Sequence, residues 1–138
     1  MRTHYETKED LSIERAIADI MEKVWKAKFY KLPDPKFAID FLVEKGNRFS
    51  WLELKRANRK YDEYPTFMIS YKKIEQAKLL SETAKIPFIL MFKCLDCICY
   101  HKWDFDKKYE FRYGGRTKTT RDAGDIEPMF YIPYTDCV

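Results

Sequence analysis

The chain lacks any long apolar run. No segment approaches the roughly 18 apolar residues that a membrane-spanning helix needs, and the N-terminus, MRTHYETKED, has no apolar stretch that could direct secretion. We therefore expect a cytoplasmic protein without a membrane span. In that compartment the four cysteines would be free thiols and not a disulfide framework.

Glycine and proline are also scarce, with 4 and 6 residues in a chain of 138. With 46% apolar and 17% aromatic residues, this composition is typical of an ordered globular protein and argues against disorder. The length predicts one domain that can bury a core. A strong excess of one charge is missing too, because 26 basic and 22 acidic residues give a net charge of +4. Such a mild excess permits an anionic partner without demonstrating one.

The spacing of apolar residues predicts a mixed α/β fold. Helical spacing runs from Glu9 to about Lys28 and again over Tyr71–Ala84, where Ser70 is a suitable N-cap. Strand signals lie at Ala27–Leu32, Phe37–Val43, Arg48–Arg56, the buried run PFILMF, and its neighbour CICYHKW. This order predicts a mixed sheet flanked by helices.

The remainder of the chain, from Asp104, predicts a C-terminal extension rich in β-structure. Its elements are a strand at Tyr109–Tyr113, a turn at Gly114-Gly115 and a final edge strand at MFYIPY.

A hairpin signal brings two acids together. Gly46-Asn47 joins two apolar-rich runs and suits a two-residue turn, which pairs Lys45 with Arg48. Counting outward along both strands makes Asp40 the partner of Glu53, on one face, with Cβ atoms about 4.5–5.5 Å apart. Two opposed carboxylates repel each other unless a divalent cation lies between them. Lys55 points to the same face as Glu53, because side chains alternate along a strand.

These residues give the chain a resemblance to the PD-(D/E)XK nuclease superfamily, whose core runs α-β-β-β-α-β. The resemblance covers about Glu9 to Trp103 and rests on Asp40 and the triplet Glu53-Leu54-Lys55, although Ile39 replaces the proline of the motif. The separation of the two acids is similar to that in archaeal-type Holliday junction resolvases. The resemblance implies a restriction-endonuclease-like fold, with one nuclease domain over residues 1–138.

The resemblance also implies a metal site. Asp40, Glu53 and the backbone carbonyl of Leu54 would ligate Mg²⁺, with Mn²⁺ able to replace it. Lys55 would orient a water molecule or offset charge on the phosphate. The helix acid of the resolvases would be Glu14, with Glu22 as the alternative, and Lys73 and Gln76 would assist from the second helix.

Further basic and polar residues predict contacts with a phosphate backbone. They follow the third strand or flank the Gly114-Gly115 pair: Arg56, Asn58, Arg59, Lys60, Arg112, Arg116, Lys118 and Arg121. On the resemblance, we expect a homodimeric, Mg²⁺-dependent DNA endonuclease selective for branched or junction DNA. It would act in the cytoplasm of a prokaryote or of a phage-infected host cell.

Three alternatives stay open on the sequence alone. A nicking, homing or single-strand nuclease would share the same fold. Asp40 and Glu53 could instead be solvated residues on an exposed face. Finally, Cys94, Cys97, Cys99 and His101 could ligate zinc in a non-catalytic nucleic-acid-binding module.

Overall fold

The computed structural model describes residues 8–32, 39–115 and 126–138. These residues form two helices, eight strands and a short 3-10 helix at Tyr134–Asp136. In chain order the helices and strands are α1 (Lys8–Trp25), β1 (Lys28–Lys31), β2 (Phe41–Lys45), β3 (Arg48–Arg56), β4 (Thr66–Ser70), α2 (Tyr71–Ala84), β5 (Phe88–Lys93), β6 (Ile98–Lys102), β7 (Glu110–Gly115) and β8 (Ile126–Pro133).

The bounds predicted for β3 and α2 are confirmed. Helix α1 ends at Trp25, three residues earlier than predicted, because Lys26 adopts the left-handed conformation with φ of 53°. Strand β2 begins at Phe41, and Phe37, where its start was predicted, lies outside the described residues. Ser70 is the N-cap of α2, although its side chain donates and accepts no capping hydrogen bond there.

A five-stranded mixed sheet forms the centre of the fold, in the order β1-β2-β3-β5-β6. Strands β2 and β3 form the predicted hairpin, in which Lys45 pairs with Arg48 and Phe41 with Leu52. Gly46 has φ of 61°, which a tight hairpin turn requires. The predicted register is therefore confirmed, and it leaves Asp40 as the next residue beyond the last pair. Strand β5 then runs parallel to β3, with α2 in the connection between them.

A second sheet was not predicted. Strand β4 follows the polar connection after β3 and pairs with β8, which also pairs with β7. Strand β8 is thus the central strand of this sheet, and the prediction of an edge strand at MFYIPY was wrong. The predicted turn at Gly114-Gly115 was wrong as well, because both residues continue β7. The chain keeps the α-β-β-β-α-β order, with β4 inserted before α2.

Two apolar clusters cover the two faces of the central sheet. On one face, Ile17 and Met21 of α1 meet Phe41, Leu52 and Met91. On the other face, α2 and the second sheet meet the side of β5 that carries Phe88, Leu90 and Phe92. Burial of these large side chains is the main favourable term for the fold.

The buried stripe of α1 is narrower than its apolar spacing predicts. Leu11, Ile20 and Val24 are 40%, 54% and 66% exposed, because only one side of the helix reaches the sheet. No helix among the described residues is long and apolar enough to cross a lipid bilayer.

A substitution at Gly114 of β7 tests how closely β7 packs against Tyr131 of β8. A Cβ atom at this position would lie 2.1 Å from the hydroxyl oxygen of Tyr131, whose ring is buried and lies under the Arg112 guanidinium at 4.1 Å. We predict that Gly114→Ala lowers the free energy of unfolding by about 1–3 kcal/mol through overpacking. That cost exceeds the gain of about 0.5–1 kcal/mol from replacing a strand glycine. Urea denaturation measures the change.

The control adds Tyr131→Phe to the Gly114→Ala variant. Removing the hydroxyl removes the nearest atom, so the double variant should recover part of the loss relative to Tyr131→Phe alone. An alanine variant as stable as the original chain would contradict the described position of Tyr131.

Candidate active site

The Asp40 carboxyl reaches across the hairpin to β3. Its Oδ2 accepts a hydrogen bond of 2.8 Å from the Leu54 N–H. The Asp40 carbonyl accepts another from the Leu32 N–H at 3.0 Å, which ties the segment before β2 to the end of β1. These two bonds hold Asp40 next to Glu53, as the hairpin register predicts.

The Glu53 carboxyl is almost fully enclosed, with a side chain that is 10% exposed. Its Oε2 lies 3.0 Å from Lys73 Nζ, whereas its Oε1 is buried and accepts no hydrogen bond from the described residues. Burial raises the pKa of Glu53 to about 8, and the nearby charge of Asp40 adds to the rise while Lys73 opposes it. The alternative of two solvated carboxylates on an exposed face is therefore wrong for Glu53.

Lys31 joins the helix acid to this pair. Its Nζ donates to Glu14 Oε1 at 3.3 Å and to Asp40 Oδ1 at 3.4 Å. Glu14 and Asp40 are 15% and 17% exposed in their side chains. The structure thus brings Glu14, Asp40 and Glu53 to one region, with ammonium groups of Lys31 and Lys73 against them.

Lys31 was not predicted as a site residue. It lies two residues after the buried Phe29 in β1, and it pairs with Phe41, the residue after Asp40. Alternation of side chains along β1 could have placed Lys31 on the same face as Phe29. The sequence could not give the register between β1 and β2, which places Lys31 beside Asp40, because no two-residue turn joins these strands.

Glu22 is the weaker choice for the helix acid. Its Oε2 accepts the Phe29 N–H at 2.8 Å, and its Oε1 lies 2.9 Å from an Arg15 guanidinium nitrogen. These contacts hold the turn between α1 and β1. Glu14, and not Glu22, is therefore the helix acid that the structure connects to Asp40.

The two predicted lysines have different surroundings. Lys55 shares the face of Glu53, and its Nζ donates to the Met68 carbonyl of β4 at 3.1 Å. Lys73, predicted as auxiliary, forms the ion pair with Glu53. Gln76 is exposed one turn further along α2.

Arg59 is a correction to the predicted DNA-binding set. Its guanidinium donates to the carbonyls of Lys60, Tyr61, Tyr64 and Thr66 at 2.6–3.0 Å. It also stacks 4.0 Å from the centre of the Phe67 ring, and the residue is only 8% exposed. Arg59 therefore organises the β3–β4 connection and does not face a DNA backbone.

The other predicted DNA-binding residues are exposed or lie outside the description. Arg56, Asn58 and Lys60 are exposed, as is Arg112, which covers the Tyr131 ring. Outside the described residues lie Arg116, Lys118 and Arg121.

The proposed zinc ligands do not form a zinc site. Nδ1 and Nε2 of His101 hydrogen-bond to the Asp136 carbonyl at 3.0 Å and the Tyr109 hydroxyl at 2.8 Å. Burial raises the pKa of Cys94 and of Cys97 to about 11. In residues 8–32, 39–115 and 126–138, no group of three His, Cys, Asp or Glu side chains is arranged to hold a metal ion.

The sequence profile of a family described as "Phage putative PDDEXK endonuclease" matches residues 1–137. The chain belongs to this family. Among solved structures, the fold is similar to that of Hjc, a Holliday junction resolvase from the archaeal hyperthermophile Archaeoglobus fulgidus, with a TM-score of 0.63. The match covers 95% of this chain and 91% of that chain at 14% identity, so it shows a shared restriction-endonuclease-like fold. No curated protein sequence gives a significant match.

The residues present in this member of the PDDEXK family fit a hard divalent cation. Mg²⁺ keeps several waters and needs only one or two carboxylates together with phosphate oxygens. Asp40 and Glu53 supply those carboxylates, and the buried Oε1 of Glu53 has no donor among the described residues. Lys31 lies against Asp40 and Lys73 against Glu53, so both carboxyls already attract positive charge.

The raised pKa of Glu53 predicts a pH-dependent stability. The native state keeps a proton on Glu53 that the unfolded state loses above its ordinary pKa, so the stabilisation is complete below about pH 4.5 and is lost as the pH rises through about 8. In chelator, the chain should therefore lose stability between about pH 5 and pH 9 relative to Glu53→Gln, by a few kcal/mol at most. Thermal denaturation across this range measures the difference.

Glu82→Gln is the matched control, because Glu82 is exposed on α2. It should follow the pH profile of the original chain. Identical profiles for Glu53→Gln and Glu82→Gln would contradict the buried, protonated state of Glu53.

Proposed function

We propose that this chain is a Mg²⁺-dependent DNA endonuclease that hydrolyses phosphodiester bonds and selects branched DNA. The observation that carries the proposal is the buried Glu53 carboxyl beside Asp40, in a member of an endonuclease family. A structural acid would gain stability from a full set of hydrogen bonds. Two adjacent carboxyls, one of them buried with an oxygen that accepts no hydrogen bond from the described residues, are suited to a cation.

Asp40, Glu53 and the backbone carbonyl of Leu54 would hold Mg²⁺. When bound, the ion supplies polarisation of the phosphate and a lower pKa for an attacking water. Lys55, on the same face two residues beyond Glu53, would offset the negative charge that develops on the phosphate. Glu14 would reach the same region from α1, where Lys31 already connects it to Asp40.

Lys73 has a second role in this proposal. Its ammonium lies 3.0 Å from Glu53 Oε2 and favours the ionised form of that carboxyl, against the effect of burial. With a cation at the carboxylates, that ion pair would weaken and Lys73 could approach a phosphate. Its place in the first turn of α2 supports this role, because backbone N–H groups at a helix start also attract phosphate.

The preference for branched DNA rests on two observations. The fold is similar to that of a junction resolvase. The described residues also add only one small sheet to the nuclease core, and such a compact chain suits the reading of DNA shape more than of base sequence. A homodimer would place two sites on two strands of a junction.

The test compares cleavage of four-way, flap, duplex and single-stranded DNA with Mg²⁺ or Mn²⁺. We expect branched substrates to be cut fastest, and both Glu53→Gln and Lys55→Ala to lower the rate by about 100-fold or more. The first removes a carboxylate that would hold the cation, and the second removes the ammonium that would offset charge on the phosphate. Glu82→Gln is the control and should cut at the original rate. Light scattering of the same samples tests the dimer.

Two outcomes contradict parts of the proposal. Metal-dependent cleavage that survives both Glu53→Gln and Lys55→Ala would overturn the site. Faster cutting of single strands or of plain duplex than of branched DNA would contradict the branched substrate. It would indicate a single-strand, nicking or homing nuclease instead.

A further inference from the structure

A cavity opens beside the candidate active site, between the two sheets. Its volume is about 450 Å³, within the range of about 300–1,000 Å³ that is typical of small-ligand sites. Lys55 lines one side of it, so the cavity adjoins the residue that the proposed mechanism places at the phosphate. Asn58, Tyr64 and Met68 lie at other parts of the lining.

Aromatic rings form much of the lining. Phe67 and Phe92 stack on each other at 4.2 Å, with 18° between their planes. Tyr64 lines the same cavity, and its residue remains 55% exposed. Phe67 and Phe92 are buried beneath the cavity, at 3% and 1% exposed, so Tyr64 is the ring among these three that a ligand can reach. Stacking on exposed aromatic rings is how proteins hold bases that are not paired.

Arg59 makes this lining rigid. Its guanidinium is 4.0 Å from the Phe67 ring centre and 5.2 Å from the Tyr64 ring centre. Four backbone carbonyls accept its hydrogen bonds, including those of Tyr64 and Thr66. The buried arginine therefore fixes the loop on which Tyr64 stands, so the ring is positioned before any ligand arrives.

Polar groups at the cavity match the rest of a nucleotide. The exposed side-chain amide of Asn58 can both donate to and accept from a base edge. Lys55 lies on the side toward Glu53, and the Arg112 guanidinium covers Tyr131, another lining residue, at 4.1 Å. The Lys55 ammonium suits a phosphate that flanks the base.

We propose that this cavity binds one unpaired nucleobase of the DNA, next to the phosphate that is cut. The inference rests on the proposed function and deepens it. A base within a duplex must lose its pairing and its stacking on both sides to enter such a cavity, whereas a base pair at an open branch point is stacked on one side only and has less to lose. The cavity thereby supplies a physical reason for selecting branched over continuous DNA.

The test is a double-mutant cycle that combines one side-chain substitution in the protein with the removal of one base from the DNA. Binding is measured in chelator so that no strand is cut. Fluorescence anisotropy gives the affinity for a four-way junction and for a flap in which each nucleotide near the branch is replaced, one at a time, by an abasic unit. At one position we expect the abasic unit to weaken binding about tenfold. Tyr64→Ala should weaken binding of intact DNA about tenfold and should cause no further loss on that abasic DNA.

Two variants make the result specific. Tyr64→Phe keeps the ring and should bind like the original chain. Tyr30→Ala removes a tyrosine that is 46% exposed at the far edge of the central sheet, bonded to Glu44, and should leave all affinities unchanged.

Several results would overturn the inference. One is that no abasic position weakens binding. Another is that Tyr64→Ala weakens binding of intact and abasic DNA equally, which would mean that the ring contacts another part of the DNA. In both cases DNA would still bind and the proposed function would stand. Failure of the original chain to bind any of these DNAs would overturn the proposed function together with the inference.

Discussion

The opposition of Asp40 and Glu53 across the hairpin is the constraint on which the rest of the site depends. The Gly46 turn sets the β2–β3 register, and the Leu54 N–H then holds the Asp40 carboxyl at 2.8 Å beside Glu53. Because β3 is an interior strand of the central sheet, Glu53 is buried and its charge is costly. Lys73 reduces that cost, and Lys31 contacts Asp40 and Glu14. Neither lysine donates to Oε1 of Glu53.

The arrangement around Glu53 lowers the stability of the fold but prepares the site to bind a cation. A buried acid whose pKa has risen to about 8 weakens the fold near neutral pH, yet it creates a demand for positive charge at one defined place. Clefts with strongly shifted acids are frequently functional sites for this reason. The neighbouring cavity follows a similar rule, because Arg59 is buried and its donors hold the connection that presents Tyr64.

Local signals in the sequence account for the features that were predicted correctly. The Gly46-Asn47 turn determines a register between strands that are adjacent in the chain, and the spacing of apolar residues determines α2. The second sheet could not be predicted in this way, because β4 pairs with β8 across a long stretch of chain. Lys31 meets Asp40 only through tertiary packing. Arg59 looks like a surface cation in the sequence, and only the path of the β3–β4 connection shows that its guanidinium donates four hydrogen bonds to backbone carbonyls there.

The claim that the two carboxyls form a cation site is tested most directly by a crystal structure grown with Mn²⁺ above about pH 8, where Glu53 has lost its proton. Anomalous scattering locates Mn²⁺ independently of any assumption about ligands. The account predicts a peak at about 2.0–2.6 Å from carboxylate oxygens of both Asp40 and Glu53, with the Lys73 ammonium displaced from its 3.0 Å contact. A structure at saturating Mn²⁺ with no peak there, and with Lys73 still paired to Glu53, would contradict it.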